Sequence, residues 1–358
     1  MENIISYMEK SKDKTYKQMP FNELDALVYA LLPYIDFSGI SMNEITIKEA
    51  YKRLNQKFFL KKKDKFTEKN RNVLKLAALS QRYCDNIITN YTKINTSSTQ
   101  FCALTIVVPH HFKYIAFEGT DDNLVGWEEN FKMSYTYPVE AQRLAAKYFH
   151  DNTNFKDLTL FVGGHSKGGN LAVAAVMENN FFKRFQVDYI FNFDGPGFLS
   201  NIENSCKYRR ITSKIRNYYP EDSFIGMILK QKGKEKYLKS KSHLAYQHNA
   251  HNWQIIDNHF VLGEKSKYSL SFQKRIDNLF KEYDLEKRQI FVTSFFTLLF
   301  AAGYTKKSEL TKVSMSKIKN ILKNNAELDS EKRSLIINVF KTIINNPEND
   351  ETQEKYRK

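Results

Sequence analysis

Apolar residues first repeat at helical spacing over FNELDALVYALLPYI, where Leu24, Leu27, Val28, Leu31 and Leu32 share a face. Asn22 suits the cap of that helix, and Pro33 bends or ends it. Residues 46–95 read as helical and strongly basic, with Leu74, Leu76, Ala77 and Leu79 as the apolar face. The period then shortens. FCALTIVVP and KYIAFEGT are β-rich runs separated by a turn at His110-His111-Phe112, which predicts a hairpin. Beyond them the pattern alternates: a helix over 139–150, a strand at LTLFVGG, a helix over 169–182, a strand at VDYIFNFD and another near KIRNYYP. Such alternation predicts an α/β fold, a mostly parallel sheet with flanking helices. After about Gly263 four helical segments follow, near 266–285, 287–303, 307–324 and 328–345, and then a charged tail that reads as frayed. Three regions result: 1–95, a helical segment packed on the core; 96–263, the α/β core; and 264–358, a helical appendage.

Charge and cysteine content narrow the class. The net charge of +15 is carried mostly by lysine rather than arginine. Readers of base edges favour arginine, so nucleic acid is the less favoured partner and an anionic surface remains open. Three scattered cysteines, Cys84, Cys102 and Cys206, form neither a CxxC pair nor a zinc spacing. They fit free thiols of a cytoplasmic protein. The N-terminus lacks the apolar stretch of a secretory signal. IFVTSFFTLLFAAGY is about fifteen residues long, short of the roughly 20 that cross a bilayer, and reads as a buried helix.

The chemistry centres on FVGGHSKGGN. Gly164-His165-Ser166-Lys167-Gly168 fits G-x-S-x-G, a serine on a sharp turn between strand and helix. An uncharged strand precedes it, and a helix rich in Gly and Ala follows, able to approach a sheet closely. The helix N-terminus beneath the hydroxyl offers N–H groups to a developing oxyanion. The spacing of a phosphate-binding P-loop is missing, since Lys167 lies between the glycines. A triad in the order serine, acid, histidine needs partners downstream. Asp222, after the second strand beyond the serine, is the favoured acid, with Asp194 in FNFDGPGF as the alternative. The favoured base is His248 in SHLAYQHNAHNW, with His251 as the alternative. Chain order excludes His165 as the base.

These segments carry a resemblance. KYIAFEGTDDNLVGWEENF and GHSKGGNLA are similar to segments of class 3 lipases. FNELDALVYALLPYIDF, AFEGTDDNLVGWEENF, GHSKGGNLA, NFDGPGF, PEDSF and QHNAHNW together resemble the Mbeg1-like family, a domain of unknown function within the α/β-hydrolase superfamily, over roughly residues 15 to 262. The resemblance implies an α/β-hydrolase core with Ser166, Asp222 and His248 in the triad positions. It also implies an oxyanion hole made of the Thr120 and Lys167 amides. Glu118 stands where the lipases carry arginine, and Lys167 where they carry leucine. The latter would set a cation beside the nucleophile, suited to an anionic substrate or pointing into solvent.

The expectation is a serine hydrolase acting on carboxylic esters, lipid acyl esters or thioesters, with no metal or organic cofactor. The lysines at 230, 232, 234, 236, 239 and 241 are expected to overhang the site, where they could meet anionic headgroups and make the protein membrane-peripheral. The rival readings are a non-catalytic hydrolase-like binding module, with its histidine misplaced, and a basic nucleic-acid-associated protein.

Overall fold

The structure, a computed structural model, describes residues 2–40, 44–58, 64–121, 123–154, 159–306 and 330–344. The helix expected at 307–324 and the charged tail lie outside them. Helix α1 spans Ile4–Ser11 and α2 spans Glu23–Leu31. Asn22 caps α2 by accepting from Leu24 N and Asp25 N, and the Asp25 carboxylate bonds back to Asn22 N. Residues 24–31 are all buried, because α2 lies across one face of the sheet against Phe161 and Phe191. Pro33 then turns the chain into a single 3-10 turn, Leu32–Tyr34.

Among the described residues the main sheet has eight strands in sequential order. They are β1 (Ile45–Thr46), β2 (Ile87–Asn95), β3 (Gln100–Val108), β4 (Phe112–Phe117), β5 (Thr159–His165), β6 (Val187–Phe193), β7 (Ile215–Pro220) and β8 (Lys234–Leu238). Pairings from β1 to β4 are antiparallel and those from β4 to β8 are parallel. The predicted hairpin is β3–β4, with Val108 opposite Phe112. A small second hairpin pairs β9 (Ile255–Ile256) with β10 (His259–Phe260).

Residues 46–95 are not uniformly helical. Helices α3 (Ile47–Phe58) and α4 (Lys65–Ala78) are followed by β2, whose Ile- and Thr-rich residues pair along β3. The N-terminal region therefore supplies strands of the sheet, and a boundary at residue 95 separates two paired strands. Asp25 and Arg82 secure this region from within. Both are buried, the guanidinium donates to the carboxylate at 2.8 and 2.5 Å, and Arg82 also bonds to Met19 O at 2.9 Å.

Helices α5 (Leu124–Lys132) and α6 (Glu140–Asp151) join β4 to β5. The single helix expected over 169–182 is instead α7 (Lys167–Met177) and a separate α8 (Phe181–Gln186) capped by Asn180. Two one-turn helices follow β6, α9 (Ser200–Glu203) and α10 (Cys206–Arg209). The C-terminal part contains α11 (Lys267–Glu282), α12 (Leu285–Ala301) and α13 (Ser330–Ile344). The apolar run is α12, which buries Phe291, Phe295 and Phe296 with Leu124 of α5 and with Ile336 and Val339 of α13. Among the described residues, no helix is long and apolar enough to cross a membrane.

Candidate active site

The turn at Ser166 is built as its glycines require. Ser166 has φ 58°, a left-handed conformation that a serine adopts only under constraint. Its N–H donates to Phe193 O at 2.8 Å, and helix α7 begins at the next residue. A Cβ on Gly168 would lie 2.1 Å from Phe117 O, and one on Gly164 would lie 2.4 Å from the Gly168 carbonyl carbon. Only glycine permits this approach of strand, turn and helix.

His248 Nε2 lies 2.9 Å from Ser166 Oγ, and His248 Nδ1 lies 2.7 Å from Asp194 Oδ2. This is a continuous serine–histidine–aspartate contact chain, and the carboxylate in it is that of Asp194, the alternative acid, where the sequence favoured Asp222. The reason is strand order. β6 is the immediate neighbour of β5, His165 pairs with Phe193, and Asp194 leaves its strand level with the serine. Asp194 is fully buried, with φ 53°; its Oδ1 accepts from the Ser223 hydroxyl and, at 3.2 Å, from Gly226 N. Asp222 lies one strand further along and serves the turn that carries the histidine. It accepts from Leu244 N at 3.0 Å and from Gln247 Nε2 at 2.8 Å, both in the 3-10 turn Leu244–His248.

His251 is placed elsewhere. Its Nε2 bonds to Asn70 Oδ1 at 2.8 Å, and burial, aided by Lys69, pulls its pKa down to about 3. His165, excluded as base, lies 4.7 Å ring to ring from His248. Its Nε2 donates to His248 O at 2.8 Å, and its Nδ1 is 3.0 Å from the Tyr34 hydroxyl. Sequence reasoning missed this link and the part played by Tyr34. The Leu31-Leu32-Pro33 break was the available signal, since it directs Tyr34 off the helix toward the turn.

Gly119 lies against the serine, a Cβ there falling 3.0 Å from Ser166 Cβ. Thr120 follows it, and its hydroxyl accepts from Asn130 Nδ2 at 2.7 Å. The Lys167 amide opens α7, but its side chain turns away from the serine and from solvent. Nζ is buried and bonds to Glu129 Oε2 at 2.5 Å and Gln100 O at 2.9 Å. The cation expected beside the nucleophile is thus an internal brace, joining α7 to α5 and β3. Glu118 is buried too; burial, with Asp121, pushes its pKa up to about 8 against the pull of Lys93 and Lys167.

The lysine run is partly tied into the fold. Residues 234–238 are the edge strand β8, and three lysines are paired: Lys230 with Asp277 at 2.7 Å, Lys232 with Glu203 at 2.9 Å and Lys236 with Glu23 at 2.9 Å.

The sheet, its flanking helices and the strand-turn-helix at Ser166 define an α/β-hydrolase fold. Within that class the chain belongs to the Mbeg1-like family, whose model matches residues 77–297, more than half of its length. The match begins later and reaches further than the quoted motifs, extending into α12. Among solved structures the chain is similar to "Crystal structure of M37 lipase", at 11% identity and TM-score 0.34 over 58% of this chain and 70% of that one. No curated protein sequence matches the chain.

Proposed function

We propose that the protein is a serine hydrolase of carboxylic esters, with Ser166 as nucleophile, His248 as base and Asp194 as acid. The observation that carries this reading is the unbroken contact chain, 2.9 Å from serine to histidine and 2.7 Å from histidine to aspartate. His248 Nε2 takes the Ser166 proton as Oγ attacks the carbonyl carbon, while Asp194 holds the imidazole with its proton on Nδ1. The oxyanion is received by the Thr120 and Lys167 amides, a donor of this kind contributing about 3–4 kcal/mol. His248 then protonates the leaving alcohol or thiol, and water releases the acyl group by the reverse sequence. Lipid acyl esters and thioesters are the proposed substrates, on the likeness of the motifs to class 3 lipases. A binding module without catalysis calls for a misplaced histidine, whereas His248 lies within hydrogen-bond distance of both partners.

The test is covalent labelling of the purified chain by a fluorophosphonate probe, beside Ser166→Ala and His248→Ala. Labelling of the wild type that disappears in Ser166→Ala and falls strongly in His248→Ala supports the proposal. Absence of labelling on folded wild-type protein, or labelling that persists in Ser166→Ala, refutes it.

A further inference from the structure

Helix α8 presents an aromatic face that the proposed hydrolase chemistry does not use. Phe181, Phe182 and Phe185 are 63%, 57% and 75% exposed on a helix of 6 residues. Their rings form a cluster, Phe181 lying 5.7 Å from Phe182 and 6.2 Å from Phe185. Scattered exposed apolar residues are ordinary, but large rings adjoining on one short helix mark a contact surface.

The charge around these rings indicates what they meet. Lys183, within α8, donates to Thr153 O just beyond α6 at 2.9 Å, and Lys214 donates to Phe185 O in the last turn of α8 at 3.4 Å. Arg210 is exposed, while Arg184 is buried, its pKa lowered by burial and then by the positive charge of Arg210. Of the nearby described carboxylates, Asp188 faces Lys214, while Asp151 and Glu178 are each paired with a lysine. Aromatic rings that protrude within a rim of cations suit the interface of an anionic bilayer: the rings enter below the headgroups and the cations remain among the phosphates. A second copy of the chain fits poorly, because a twofold contact would oppose one cationic rim to another.

We propose that the α8 face docks the protein on anionic phospholipid membranes, a role the sequence suggested for the lysines at 230–241, several of which are instead paired with carboxylates. α8 adjoins the ends where β5, β6 and β7 begin, whereas Ser166 and Asp194 follow the opposite ends of β5 and β6. Docking therefore leaves the serine facing away from the bilayer, and membrane attachment is separable from the chemistry.

The experiment is co-sedimentation of the full chain with vesicles of phosphatidylcholine alone and of phosphatidylcholine with phosphatidylglycerol. Wild type is compared with Phe181→Ser/Phe185→Ser and with Arg210→Glu, each verified as folded by circular dichroism and sized by light scattering. The expected result is binding to the anionic vesicles only, weakened by salt. It falls at least tenfold in the phenylalanine double variant and several-fold in Arg210→Glu, with fluorophosphonate labelling the same in all three. The proposal is overturned if wild type ignores anionic vesicles or binds both compositions equally. It is also overturned if the double variant binds as well as wild type, or if the double substitution only converts a dimer to a monomer.

Discussion

His165 Nε2 donates to the main-chain carbonyl of His248 at 2.8 Å, so the residue before the serine holds in place the residue that bonds to it. Tyr34, 3.0 Å from the other ring nitrogen, orients His165 in turn. Asp222 grips the same turn through Leu244 and Gln247, and Trp253 Nε1 donates to Gln247 O at 2.8 Å. His248 thus stands on a turn fastened from several directions. Replacing His165 by Leu is expected to slow probe labelling by up to about 10²-fold, the scale set by a 1 Å displacement of a reacting group. His165→Gln, which keeps an N–H donor, should recover part of that loss. Equal labelling rates in His165→Leu and wild type would remove the positioning role.

The assignment of the acid is tested by two conservative substitutions. Asp194→Asn should lower the labelling or ester-hydrolysis rate by about 10⁴-fold, because an amide no longer fixes the imidazole tautomer. Asp222→Asn should act more mildly, through the turn alone. The reverse ranking would return the acid to Asp222.

The Lys167–Glu129 pair is buried on both sides, with side chains 1% and 2% exposed. Breaking it by Lys167→Met or Glu129→Gln leaves an uncompensated charge or donor and should cost about 3–5 kcal/mol in urea unfolding. An apolar double variant at the same positions should regain much of that stability. Single variants as stable as wild type would show that the pair carries little.

His251 makes an acid-sensitive contribution. Its pKa falls from the ordinary 6.5 to about 3 on folding. The unfolded chain therefore gains a proton before the folded one, and stability is lost as pH drops from about 6.5 toward 3. His251→Gln should lose less stability than wild type across this window and should retain probe labelling. Loss of labelling would reopen its candidacy as base.

Glu118 has the opposite slope. Its pKa rises from the ordinary 4.5 to about 8 on folding, so the folded chain holds the extra proton. Stability is fully present below about 4.5 and declines as pH rises through 8. Glu118→Gln should match wild type near pH 5 and exceed it near pH 8.5, by up to a few kcal/mol. Parallel stability curves for the two proteins would refute this.

The local elements and the strand-turn-helix were legible because they depend on neighbours in the chain. Helical spacing in α2, the β-rich runs of β3 and β4, and the small residues around Ser166 specify their own backbone. β2 was harder, since its polar residues become a strand only through pairing with β3. The choice between Asp194 and Asp222, and the inward turn of Lys167 toward Glu129, depended on which strand lies beside β5 and what α5 presents to α7. Those are contacts between segments far apart in sequence. A carboxylate or ammonium group reads the same in a chain whether it faces an imidazole, a turn amide or the solvent. Only the tertiary structure decided which, because desolvation and hydrogen-bond distance exist only once the elements have packed.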